Sequence, residues 1–171
     1  MKRAARVGLF LGLFVLAACG RGDSAAEAPR PRETTDASVA QFCGMALSEH
    51  AGPKGQIFVR GLRDPYWFSS VRDAVAFAIL PEMPKAISAI YVSDMARAKN
   101  WDQPEPGIWV EARQAYFVIG SRRRGGMGAD EAIPFSVAAA AHGFVDANGG
   151  RVVRFAEIPP DYVLAATSGN P

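Results

Sequence analysis

Hydrophobic and polar positions change character along the chain. Residues 7–15 form a continuous apolar run, residues 20–40 hold almost no apolar side chain larger than alanine, and from residue 41 short apolar runs alternate with Gly- and Pro-containing breaks. The breaks delimit the elements. Gln56-Ile57-Phe58-Val59 reads as a short strand ended by Gly61 and Asp64-Pro65. From Ser69 or Ser70 to Leu80 the period lengthens to that of a helix. A hydroxyl N-cap is followed by Val71, Ala74, Val75 and Ala78 at three- and four-residue spacings, with Arg72 and Asp73 on the other side, and Pro81 and Pro84 stop it. Residues 86–92 predict a strand. Residues 108–110 and 115–119 predict a pair of strands after a loop holding Pro104 and Pro106, and residues 135–147 a second helix, rich in alanine and ended by Asn148-Gly149-Gly150. A last strand over 151–156 precedes a polar tail.

The two predicted helices match one another. Phe68-Ser69 with Ala74 and Phe77, and Phe135-Ser136 with Ala141 and Phe144, have the same internal spacing. With strands on both sides of each helix, this predicts an α+β body of two related halves, residues 41–105 and 106–163, and a disordered tail over 164–171. Units this small are marginal alone, so the halves are expected to share one core.

The N-terminal stretch belongs to another class. Lys2, Arg3 and Arg6 precede the apolar run, and small residues lead to a cysteine in Leu16-Ala17-Ala18-Cys19. This is the pattern of an export signal, too short for a spanning helix. It resembles the bacterial lipobox, in which cleavage after residue 18 leaves a lipidated Cys19 as the new N-terminus; an ordinary secretory signal is the alternative. Acyl chains contribute about 0.8 kcal/mol per buried CH₂, and two or more hold a protein on a bilayer. Gly20 is not the carboxylate that commonly marks inner-membrane retention, which favours the periplasmic face of the outer membrane. Residues 19–40 read as a flexible tether. Without the three basic leader residues, 16 basic side chains face 17 acidic ones. That balance offers no basic face for nucleic acid.

Lipidation changes the cysteine count. The chain has two cysteines, and a thioether-linked Cys19 cannot pair, so Cys43 is a lone thiol in an oxidising compartment. Such a thiol is buried, paired with another chain or occupied by metal. Cys43-Gly44-Met45 sets a thiol and a thioether two positions apart, the soft donors that copper(I) favours over zinc. Met127, flanked by Gly125, Gly126 and Gly128, is a further candidate ligand, with core or plug packing as the alternative for both methionines. Met95 and His50 are weaker candidates: Met95 reads more readily as packing, and His50, on a polar Ser-Glu-His stretch, as solvated. No paired histidines, P-loop or Gly-x-Ser-x-Gly occur.

Phe42-Cys43-Gly44-Met45, Gly52-Pro53, Phe68-Ser69-Ser70-Val71, Tyr91-Val92-Ser93-Asp94, Trp109-Val110-Glu111-Ala112, Val118-Ile119-Gly120-Ser121, Gly126-Met127-Gly128-Ala129 and Pro134-Phe135 resemble, in order, the nitrous oxide reductase accessory lipoprotein (NosL) family. The resemblance covers residues 42 to about 162. It implies a non-enzymatic, membrane-anchored copper(I) chaperone that serves assembly of the copper-sulfide centre of nitrous oxide reductase. It also implies two ββαβ-like halves similar to organomercurial lyase. That likeness leaves one alternative, an enzyme with Cys43 as nucleophile, but only one usable thiol is present and no histidine is evidently placed as its base.

Overall fold

The first half is built on Gly55–Val59 (β1), which pairs antiparallel on one side with Tyr66–Phe68 (β2) and on the other with Ile87–Ser93 (β3). The structure, a computed structural model, describes residues 28–84 and 86–165. The expected signal segment, Cys19 and residues 166–171 of the expected tail lie outside them. Helix α1 (Val71–Ile79) joins β2 to β3. The second half repeats the plan: Tyr116–Ile119 (β5) is central, flanked antiparallel by Ile133–Phe135 (β6) and Arg151–Arg154 (β7), with α2 (Ala138–Asn148) between them. The expected α+β fold of two ββαβ halves is thus present. Phe68 and Phe135 close β2 and β6, and Ala74 and Ala141 are fully buried at equivalent places on the two helices.

Four expectations are corrected. Trp109–Glu111 (β4) and β5 do not pair with each other: β4 extends the first sheet beside β3, giving the order β2-β1-β3-β4, and β5 opens the second. A single 3-10 turn, Ala112–Gln114, separates them, its start capped by the Glu111 side chain accepting from Arg113 N at 2.8 Å. β2 is a strand that the pattern did not predict, because three consecutive aromatics show no alternation. Finally, 133–135 are extended before α2 begins, and a short helix, α3 (Pro160–Leu164), follows β7. A run of alanines hides the first boundary and Pro159-Pro160 the second.

The halves share a core. Phe117, Ile119 and Val153 of the second sheet join Ile57, Phe68, Val71, Val75, Phe77 and Val92 of the first half in one cluster. Val118 points to the opposite face, as strand alternation requires, and packs with Ile133, Phe135 and Ala141 under α2. Buried carboxylates also tie the halves: Asp94 Oδ1 accepts from Ser136 N just before α2 (2.8 Å), and Glu131 Oε1 accepts from Arg72 N in the first turn of α1 (2.8 Å).

Part of the stretch expected as tether lies along the first sheet. Gln56, wholly buried in β1, exchanges two hydrogen bonds with the Arg32 backbone (2.8 and 2.9 Å), and Tyr91 OH donates to Pro29 O (2.9 Å). Buried amides need such partners, and residues 29–32 supply them. Ser38 and Ala40 are buried as well.

Candidate metal centre

Cys43 sits at the tip of a tight loop. Val39 and Ala46 form an antiparallel bridge, Ala40 N donates to Met45 O (2.9 Å) and Gly44 N to Ala40 O (2.9 Å). Gly44 turns the chain at φ 69°, a left-handed conformation that a side chain disfavours. The loop is fixed to β2 by Gln41 N donating to Trp67 O (2.8 Å), and Phe42 packs edge-on to Phe68 with ring centroids 5.6 Å apart. The thiol therefore stands over the N-terminal end of α1. Its Sγ lies 3.9 Å from Ser69 Oγ and 3.7 Å from His50 Nε2.

His50 is not solvated, as its polar neighbours suggest, but 7% exposed. Lys54, itself buried, donates from Nζ to His50 O (2.6 Å) and Gly52 O (2.7 Å) and so fixes the chain that carries the imidazole. Gly126, in the glycine-rich loop, presses against the same segment. A Cβ on Gly126 would lie 2.4 Å from Ala51 O and 3.0 Å from His50 Cβ, so only glycine permits this approach.

That approach brings Met127 to the thiol's side of the molecule. Cys43 and Met127 line one cavity of about 570 Å³, together with Phe42, Asp73, Ala76 and Leu164. Met127 is 55% exposed, so it does not plug the core. Met45 is also exposed, at 43%, but is not among the residues lining the cavity. Met95 is elsewhere: it packs against the smaller core cluster under α2, next to Trp101 and Phe144. His142 lies on the exposed face of α2. Among the described residues no three or more His, Cys, Asp or Glu side chains cluster to hold a metal.

Three ionisable residues around the site gave no sequence signal. Burial pushes the Glu131 carboxyl up to about 7, partly offset by hydrogen bonds from Arg72 N, Ser70 and Ala132 N. Burial lowers Lys54 to about 8, against the attraction of Glu131, and raises Asp73, against Arg72 and His50. A carboxylate and a lysine buried this way are invisible in a local pattern, since charged residues beside strands and turns are usually solvated. Arg72, expected on the polar side of α1, is buried, and its guanidinium donates to Ala165 O at the end of α3. Of the Arg122-Arg123-Arg124 run, Arg123 lies over the Trp101 ring at 4.5 Å and Arg124 pairs with Asp130.

The chain resembles known proteins over most of its length. The chain is 46% identical over 153 residues to the copper-binding lipoprotein NosL of Achromobacter cycloclastes, an alignment covering 89% of this chain and 78% of that protein. It is 32% identical over 156 residues to the copper-binding lipoprotein NosL of Stutzerimonas stutzeri, covering 91% and 80%. The crystal structure of the copper chaperone NosL from Shewanella denitrificans superposes with a TM-score of 0.71 at 32% identity, over 75% of this chain and 95% of that one. These relatives are described as binding or chaperoning copper, not as enzymes, and the alternative of a Cys43 nucleophile has no counterpart among them. The NosL family profile matches residues 31–163, and with these relatives it shows that the chain belongs to the NosL family.

Proposed function

We propose that the chain is a copper(I) chaperone whose ion is held by the Cys43 thiolate, the His50 imidazole and the Met127 thioether. The observation that carries this reading is the convergence of Cys43 Sγ on His50 Nε2 at 3.7 Å, beside a cavity that Cys43 shares with Met127. One thiolate balances the single charge of the ion, and binding releases the thiol proton. A nitrogen and a thioether complete a soft, low-coordinate set that suits copper(I) and lacks the closed array of thiolates, imidazoles and carboxylates that zinc prefers. Met45, exposed on the Cys43 loop, serves as a transient ligand during entry or release. Met95, partly buried against the second core, takes no part.

A ligand set at a partly exposed rim suits handover by ligand exchange. The acceptor is nitrous oxide reductase or its periplasmic maturation machinery, as the family resemblance implies. Attachment through acyl chains on Cys19 would hold the domain at the membrane, with the outer membrane favoured by Gly20; no helix among the described residues is long and apolar enough to cross one.

The test is titration of the full-length, detergent-solubilised chain with copper(I) against a chromogenic chelator. One copper per chain is expected, with binding largely lost in Cys43→Ser. Undiminished affinity in that variant would refute the proposal.

A further inference from the structure

Resting on the copper reading above, we infer that Glu131 is a positioning residue for the metal site, setting the spacing between the half that carries the thiol and the loop that carries Met127. Glu131 is 1% exposed and belongs to the second half of the chain. Its Oε1 accepts from Ser70 Oγ (3.2 Å), Arg72 N (2.8 Å) and Ala132 N (2.9 Å). Ser70 occupies the N-cap position of α1, yet its side chain makes no cap hydrogen bond there. The carboxylate of the other half satisfies the free N–H instead, the role a cap residue normally fills. Ser69, one residue earlier, is the residue whose Oγ lies 3.9 Å from Cys43 Sγ.

The second oxygen faces the other component. Oε2 is buried without a hydrogen-bond partner, and a Cβ placed on Gly125 would lie 2.7 Å from it. The next residue, Gly126, is in close approach to His50 and Ala51. Residues 125–126 are thus held between the carboxylate and the segment that carries the imidazole, and Met127 follows directly. One side chain touches the helix end under the thiol through Oε1 and the methionine loop through Oε2. The Tyr162 hydroxyl, donating to Glu131 O (2.9 Å), fixes the backbone from a third side. A residue so placed never meets the ion, but it determines where the loop sits relative to α1.

The test is a double-substitution cycle between Glu131→Gln and Met127→Leu, read as copper(I) affinity of the full-length chain by chelator competition. Removing a group that orients a ligand typically lowers metal affinity about 10- to 100-fold. Glu131→Gln is expected to weaken binding by about tenfold, and Met127→Leu added to it to weaken binding by less than about twofold more, although Met127→Leu alone has the larger effect. Copper-edge X-ray absorption should show one sulfur neighbour fewer in Glu131→Gln than in the parent. If Met127→Leu weakens binding by the same factor in both backgrounds, or the sulfur count does not change, Glu131 does not position the loop. Should Glu131→Gln fail to fold, the same cycle is run with Gly125→Ala, whose added Cβ would lie 2.7 Å from Oε2 and so forces the loop and the carboxylate apart; coupling to Met127 is again expected, and additivity there overturns the inference. A parent chain that binds no copper refutes the chaperone reading itself. Parent binding lost in Cys43→Ser, with an additive cycle, refutes only the role of Glu131.

Discussion

Cys43 and His50 meet with Sγ 3.7 Å from Nε2, the imidazole buried and the sulfur partly open to solvent. The contact makes His50 the ligand candidate with the firmest support: its backbone is held by Lys54 and its ring is buried against the thiol. His50→Ala is expected to lower copper(I) affinity by about tenfold or more, since loss of a ligand weighs at least as much as loss of a group that orients one. His142→Ala, on the exposed face of α2, should leave it unchanged. Chelator competition on both variants measures the contrast, and equal effects would remove His50 from the site.

Met127 and Met95 offer a second contrast, between a thioether at the cavity rim and one in a core. Leucine conserves the volume of methionine, so each replacement should change stability by less than about 1.5 kcal/mol. Met127→Leu is expected to weaken copper(I) binding about tenfold or more, whereas Met95→Leu should leave it within about twofold of the parent. Thermal unfolding and copper competition on the same samples separate the two effects.

What could be read from the chain was what its neighbours in sequence decide. The repeated Phe, Ala and Phe spacing of residues 68–77 and 135–144 marked two halves because helix period and turn chemistry are local. Cys43 stood out because the expected lipidation of Cys19 would leave it without a partner, an inference from chemistry and not from fold. His50, Glu131 and Lys54 could not be read the same way. Glu131 is buried by contact with Arg72, 59 positions away, and His50 is approached by Gly126, 76 positions away. Burial of a polar side chain is a property of the assembled halves. Tyr66-Trp67-Phe68 failed for a different reason: a three-residue strand of aromatics has no period to detect.

Gly126 gives a prediction about stability and binding together. Its Cβ position is occupied by the Ala51 backbone, which has no flexible end to move aside. Gly126→Ala must therefore shift the loop or the His50 segment, at a cost of about 1–3 kcal/mol, the range for overpacking a well-filled site. Copper(I) affinity should fall as well, because the shift separates Met127 from His50. Urea unfolding with copper competition checks both; a variant as stable as the parent would show that the two loops are not in contact.

Glu131 and Lys54 together predict how stability depends on pH in the copper-free protein. For Glu131 the native carboxyl keeps its proton up to about 7, while the unfolded chain releases it near the ordinary value of 4.5. Between those values the unfolded state binds fewer protons, so stability falls as pH rises. The loss contributed by this one group is on the order of 3 kcal/mol. Lys54 acts in the opposite sense: the native amine loses its proton above about 8, whereas the unfolded one holds it to about 10.5, so stability rises through that window. The two contributions place a minimum between about 7 and 8. Glu131→Gln should abolish the descending limb. It should also start the ascending limb at lower pH, since Lys54 then loses the carboxylate that favours its charge. Urea denaturation at constant ionic strength from pH 4.5 to 9.5 measures both limbs, and a parent curve that is flat from 4.5 to 7 would show that Glu131 is already ionised in the native protein at the acid end.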